Sequence, residues 1–201
     1  GTAIQVIVGL KVPKVREQFE ECLAKNILPQ EDIDDREEKT EKNDTVENNG
    51  SAKGCLYAAQ TGEVIALEKV PDEVFSQKII GEGIAIIPSD TMVVAPAAGE
   101  IVVVAETKHA YAIAAEDGVE VLIHIGLETV NLQGKGFEAL VKTGDKVQVG
   151  TPLCRVDESL VNGKTPLYTP MIITNSNEMK DMKFQSGSVT AGKDCVVEYT
   201  R

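Results

Sequence analysis

The stretch "GEIVVVAETKHAYAIAAEDGVEVLIHIG", residues 99–126, contains three short runs of small and β-branched apolar residues, each ended by polar or turn-forming ones. "GEIVVVA" and "VEVLIHIG" have the length and composition of strands. "AYAIAA" alternates Ala110, Ala112 and Ala114 with Tyr111 and Ile113. Glu116-Asp117-Gly118 is a turn signal, so the last two runs are expected to form an antiparallel hairpin. The same texture extends outward on both sides. "GEVIAL", "GIAIIP", "MVVAP", "DKVQVG", "PLCRV", "PMIITN" and "CVVEYT" are short β-rich runs punctuated by Gly and Pro. "PDEVFSQKII" and "ESLVNG" read as single helical turns. The class is all-β, a sandwich or barrel.

The strands also repeat. At a spacing of 37 residues, Gly62-Glu63-Val64 matches Gly99-Glu100-Ile101, Gly81 matches Gly118, Ile84 matches Val121 and Ile86 matches Ile123. A second echo pairs Val147, Gly150 and Leu153 with Val189, Gly192 and Cys195. Two copies are too few for a solenoid, so a duplicated motif closing on itself is expected. In the first copy Ile87 stands where the second has His124, and Asp72 where it has His109. The scaffold's own needs therefore do not explain the chain's two histidines.

The β-rich region occupies residues 54–201. Residues 1–27 read as a strand, "AIQVIVG", and a helix with Pro13 in its first turn and Val12, Val15, Phe19, Cys22 and Leu23 at helical spacing. One strand and one helix bury no core of their own, so this segment is expected to be a fragment of another domain. Residues 28–53 are dominated by charged and polar side chains and are expected to form a flexible acidic linker.

Hydrophobic residues make up 42% of the 201, enough for a packed core, but aromatics only 4% with no Trp, so that core must be aliphatic. The net charge of −12 argues against sequence-independent nucleic-acid binding and suits partners with basic faces. No apolar run reaches the roughly 20 residues that span a bilayer. Cys22, Cys55, Cys154 and Cys195 form no CxxC pair and are expected to be reduced thiols of a cytosolic protein.

His124 alternates onto one strand face with Leu122 and Gly126, while Val121, Ile123, Ile125 and Leu127 take the other, the expected core face. Across the predicted hairpin His109 comes within reach of His124, because neighbouring strands lie about 4.8 Å apart. A lone strand histidine is more often structural than chemical. Two histidines make a poor zinc site, which wants three or four ligands. No nucleophile elbow for a hydrolytic triad is present. A neutral imidazole nucleophile needs less: one free ring nitrogen, an orienting bond on the other, and a donor for the incoming anion.

Gly118-Val-Glu-Val-Leu-Ile-His124-Ile-Gly126-Leu-Glu-Thr129-Val130 resembles the signature of the glucose-type enzyme IIA domain of the bacterial sugar phosphotransferase system. "VPDEVFSQKIIGEGIAIIP", "VVAPAAGEI", "ETKHAYAI", "GKGFEALVKTGDKVQVG" and "SGSVTAG" extend the resemblance over nearly all of residues 54–201. It implies a β-sandwich built from a duplicated motif. It further implies that His124 takes a phosphoryl group on Nε2 from the phosphocarrier protein HPr and passes it to a cysteine of an enzyme IIB domain, for sugar phosphorylation during uptake. His109 would stabilise the phosphoryl group, Thr107 would add a hydroxyl to that network, and the Gly126 carbonyl would hold the other nitrogen of His124. Asp72, Phe75, Ile80, Leu122, Glu128 and Val130 match the family's docking patch. Some members carry Asp where Glu128 stands and a large aromatic where Ala105 stands.

Residues 1–27 resemble the end of an enzyme IIB domain, which implies a cytoplasmic domain tethered to the membrane through a parent transporter. IIB's phosphocysteine motif is absent from this chain. No cofactor is required, and adventitious zinc across His109 and His124 is compatible with two imidazoles. Two other readings are a non-catalytic regulatory binding module and a zinc metallopeptidase of similar architecture, which would need a larger ligand set.

Overall fold

The computed structural model describes residues 53–161 and 167–201. The expected IIB-like fragment, residues 1–27, lies outside them, as does the expected linker except for Lys53, which opens the first strand. In chain order the strands are β1 (Lys53–Tyr57), β2 (Gly62–Ala66), β3 (Glu82–Pro88), β4 (Met92–Val94), β5 (Gly99–Val104), β6 (Ala110–Ala115) and β7 (Glu120–His124). They continue as β8 (Phe137–Ala139), β9 (Lys146–Val147), β10 (Pro152–Val156), β11 (Thr169–Ile173), β12 (Lys180–Phe184), β13 (Gly187–Val189) and β14 (Cys195–Thr200). Two single-turn helices, α1 (Glu73–Ser76) and α2 (Glu158–Val161), fall where the sequence places helical turns.

An eight-stranded antiparallel sheet runs in the order β13-β2-β3-β11-β7-β6-β5-β9. Two three-stranded sheets, β1-β14-β12 and β4-β10-β8, complete the sandwich. Between the layers Val64, Ile84, Ile86, Ile101, Ile113, Val121 and Ile123 meet Leu56, Val93, Leu153, Val156, Val196 and Val197. The core is predominantly aliphatic, with Tyr111, Phe137 and Tyr199 as its aromatic members. Each such side chain, fully buried, contributes roughly 1.5–3 kcal/mol of transfer free energy.

The two sequence echoes interlock. β13 and β9 occupy the opposite edges of the large sheet, beside β2 and β5. Val189 pairs with Gly62 on one edge, and Val147 with Gly99 on the other, so the second echo lies on the first in the same register. The glycines are required by close approach. A Cβ on Gly62 would stand 2.2 Å from the Ile87 carbonyl oxygen, and one on Gly99 the same distance from that of Ala114.

The duplication breaks in its middle. The residues 37 positions before those of β6 form α1 instead of a strand. Asp72 is the N-cap of α1 and accepts a hydrogen bond from the Val74 amide at 2.8 Å, whereas His109 precedes a strand. The two positions correspond in sequence but not in structure, so Asp72 does not report what the scaffold tolerates at His109. The connection carrying α1 crosses the outer face of the large sheet. Leu67, Val70 and Phe75 pack there on Ala85 and Ile172, and Val102, Ala112 and Leu122 form an adjoining cluster that Ile80 also touches. Lys78, in the left-handed region at φ 55°, ties the two ends of this connection through Glu68 and Glu82, each at 2.8 Å.

Two further expectations fail. Cys55 and Cys195 form a disulfide rather than free thiols. They are 140 residues apart in sequence, and only the pairing of β1 with β14 brings their Cα atoms to 6.0 Å, within bridging range. Leu127 leaves the core face and joins the outer cluster around Phe75. Gly126, at φ 79°, ends the alternation that carried Val121, Ile123 and Ile125 inward.

Candidate functional site

The hairpin of β6 and β7 sets Ala110 opposite His124, and the Ile125 amide donates to the His109 carbonyl at 2.7 Å. This register brings the imidazoles of His109 and His124 together, with ring centroids 4.8 Å apart and planes inclined at 77°. The Phe75 ring lies 5.2 Å from that of His124, so α1 forms one wall of the site. Thr107 Oγ1 is 2.5 Å from His109 Nδ1. His109, Thr107 and His124 are half-buried on the outer face, beside Leu122 and Ile80. His124 Nδ1 is itself buried and has no hydrogen-bond partner.

Burial lowers the pKa of both rings. For His124 burial is the larger cause and the neighbouring His109 adds to it, against an opposing influence of the Gly126 backbone, leaving the value at about 3. His109 is lowered by burial. Both imidazoles are therefore neutral at pH 7. Unfolded histidine titrates near 6.5, so below that pH the unfolded chain binds more protons than the folded one. Stability should be complete above about pH 6.5 and fall as the pH drops toward the folded values, by up to about 1.4 kcal/mol per pH unit for each missing proton. Urea titrations between pH 7 and 4.5 should show this slope, and His124→Gln should reduce it. An unchanged slope in that variant would contradict the burial of this ring.

The turn after His124 is closed by a residue whose role the sequence does not disclose. Thr129 is buried, and its hydroxyl donates to the Ile125 carbonyl at 2.6 Å. A Cβ on Gly126 would stand 2.3 Å from Thr129 Cγ2 and 2.8 Å from Leu167 Cδ1. With the positive φ added, Gly126→Ala should lower the unfolding free energy by roughly 2–4 kcal/mol, measured by chemical denaturation. A variant as stable as the parent would mean that this turn is not held tightly.

The other expected docking residues flank the rings without hydrogen-bonding them. Asp72 caps α1, Glu128 is exposed in the left-handed region at φ 56°, and Val130 is 38% exposed. Ile79, next in sequence to Ile80, is 46% exposed. Two surface hollows lie elsewhere: one is lined by Gly62, Ile87 and Ser188, another by Cys55, Asp117 and Tyr199. An open, apolar-rimmed face suits contact with another protein better than enclosure of a small molecule. Among the described residues no cluster of three or more His, Cys, Asp or Glu is placed to hold a metal ion.

Comparison with known proteins meets this geometry. The sequence profile of the phosphoenolpyruvate-dependent sugar phosphotransferase system family, EIIA 1, matches residues 55–179. The chain belongs to this family. An EIIA relative, the "PTS system glucose-specific EIIA component" of Oceanobacillus iheyensis, is 46% identical over 145 residues, covering 71% of this chain and 88% of that protein. The "PTS system glucose-specific EIICBA component" of Staphylococcus carnosus is 37% identical over 198 residues, covering 98% of this chain but only 29% of that longer protein. The EIIA fold is seen directly in the glucose permease IIA from Mycoplasma capricolum, which superposes with a TM-score of 0.68 at 38% identity and covers 73% of this chain and 96% of its own. The EIIA region is thus a phosphocarrier domain of the sugar phosphotransferase system, and neither a metallopeptidase nor a purely regulatory module is favoured. Among the described residues no helix is long and apolar enough to cross a membrane.

Proposed function

We propose that His124 is the phosphoryl acceptor and that His109 and Thr107 stabilise the group in transit. The observation that carries this reading is the pairing of two neutral, half-buried imidazoles 4.8 Å apart on an open face. His124 Nδ1 is buried, so Nε2 is the nitrogen left to meet a partner. Its lone pair attacks the phosphorus of a phosphohistidine on HPr. The new N–P bond forms as the donor's N–P bond breaks, and the electron pair returns to the donor's ring. A thiolate of enzyme IIB then attacks the same phosphorus and releases neutral His124. Depressed basicity keeps the lone pair free of a proton throughout the physiological range.

The remaining groups align and stabilise. With the Thr107 hydroxyl donating to Nδ1 of His109, the proton of that ring resides on Nε2 and can donate to a phosphoryl oxygen. The Gly126 carbonyl is the acceptor proposed for the Nδ1 proton of His124, and the Gly126 backbone acts on the ring in the corresponding direction, raising its pKa. Phosphoryl transfer through a loose transition state is served mainly by such alignment and charge stabilisation. The half-buried Ile80 and the exposed Val130 supply apolar docking contacts over the buried Phe75 and Leu122, with Asp72 and Glu128 as acidic contacts for basic partners.

The match along 98% of this chain to an EIICBA component supports a parent polypeptide in which IIB, a linker and this domain follow one another. In that arrangement the domain works at the cytoplasmic face, and the linker raises the effective concentration of IIB. Incubation with phosphoenolpyruvate, enzyme I and HPr should place about one acid-labile phosphate on each chain, as a single nucleophile requires. No label in the presence of active enzyme I and HPr would contradict the proposal.

A further inference from the structure

The interior is apolar with few exceptions, and those exceptions gather around the segment that follows His124. Apart from tyrosine and cysteine, the buried polar side chains among the described residues are Gln60, Thr129 and Thr169. Thr129 is accounted for by the Ile125 carbonyl. Gln60 and Thr169 bond each other: the Thr169 hydroxyl donates to Gln60 Oε1 at 2.9 Å, across 109 positions of sequence. Gln60 Nε2 donates to the Asp90 carbonyl at 3.0 Å. A carbonyl can only accept, so this bond fixes the orientation of the amide and leaves Oε1 facing Thr169. The Gln60 end is anchored. The adjoining Ala59 carbonyl accepts from the Val94 amide at 2.8 Å, and Ala58 bonds Asp194 at 2.9 Å and Gly192 at 2.8 Å. The other end reaches the site. Thr169 opens β11, and the carbonyl of the residue before it, Tyr168, accepts from the Gly126 amide at 2.8 Å. This bond extends the ladder between β11 and β7 beyond its Met171–Ile123 pair. Leu167, one residue earlier still, is among the side chains that a Cβ on Gly126 would meet. A buried amide gains little net stability over an apolar side chain of its shape, so what the pair adds is a fixed place for the start of β11.

We infer that Gln60 and Thr169 are positioning residues for His124: together they fix the start of β11, the Tyr168 carbonyl holds the Gly126 amide, and the backbone so held sets where the Gly126 carbonyl stands beside Nδ1. The inference rests on the reading of His124 as the phosphoryl acceptor with its Nδ1 proton directed at Gly126. Thr169→Val keeps the shape and removes the hydroxyl, Thr169→Ser keeps a hydroxyl, and Gln60→Leu removes both bonds of the amide. The full chain of each variant is compared by hydrogen exchange of the Gly126 amide, by ring-nitrogen NMR of His124 and by the kinetics of labelling from HPr. In Thr169→Val and Gln60→Leu the Gly126 amide should exchange about tenfold faster, and the His124 ring-nitrogen signals should move. The kcat for labelling should fall about tenfold with the KM for HPr unchanged, because a small misplacement of the nucleophile is costly while the docking face is untouched. Thr169→Ser should stay within about twofold of the parent. A parental kcat or a parental Gly126 exchange rate in the folded Thr169→Val variant, a loss that appears in KM alone, or an equal loss in Thr169→Ser would overturn the inference. The underlying reading fails separately, if His124→Ala still accepts phosphate.

Discussion

Replacing His124 by alanine is expected to remove phosphoryl labelling of the domain, a loss of at least about 10³-fold in a reaction that depends on one nucleophile. Among the described residues no other group at the site is placed to take over the proposed role. His109 has its Nδ1 committed to Thr107, and Cys154 is buried with its thiol pKa raised, first of all by burial. The fold should tolerate the change. His124 ends β7 on the outer face, and the corresponding position of the first copy is already an aliphatic residue, Ile87. What is lost besides the nucleophile is contact with the Phe75 and His109 rings. A circular dichroism melt alongside the labelling assay separates the two effects. Label that persists on a folded His124→Ala variant would assign the nucleophile to another residue.

His109→Gln is expected to separate acceptance from delivery. Glutamine keeps an N–H donor of similar reach but lacks the ring that Thr107 orients and that packs edge-on to His124. Label from HPr should still accumulate, more slowly. Transfer to IIB should fall by about 10²–10³-fold, the usual loss when one preorganised donor to a developing charge is removed. The fall should appear in the single-turnover rate at saturating IIB and not only in apparent affinity, since the role proposed for the ring is on the transferring group rather than in docking. Equal losses in both directions would mean that His109 shapes the nucleophile instead. Retention of full onward transfer would remove it from the mechanism.

The strands that line the core are legible in the sequence because their apolar residues face one packed interior. β3, β5, β6, β7 and β11 are such runs, and the 37-residue echo relates β2 and β3 to β5 and β7. β12, "KDMKF", is not legible. It lies at the edge of a small sheet, four of its five residues are exposed, and no apolar alternation marks it. β8 and β13, three residues each, are too short to carry a period, and β1 begins at the end of the polar stretch that reads as linker. In the site, the meeting of the two histidines is legible because the Glu116-Asp117-Gly118 turn fixes the hairpin register. The Phe75 contact follows from the family resemblance and not from pattern, since α1 reaches His124 through space across the sheet. The role of Thr129 depends on a hydrogen bond back to Ile125, which no periodicity encodes. The Cys55–Cys195 bridge depends on pairing between the ends of the described chain, and the spacing of the cysteines gives no hint of it.

Phosphorus–nitrogen coupling measured by NMR on the ring-labelled, HPr-phosphorylated protein tests the assignment of roles most directly. One phosphate per chain on Nε2 of His124, with the proton of that ring retained on Nδ1, is the expected spectrum. Phosphate on Nδ1, on His109 or on a cysteine would contradict it.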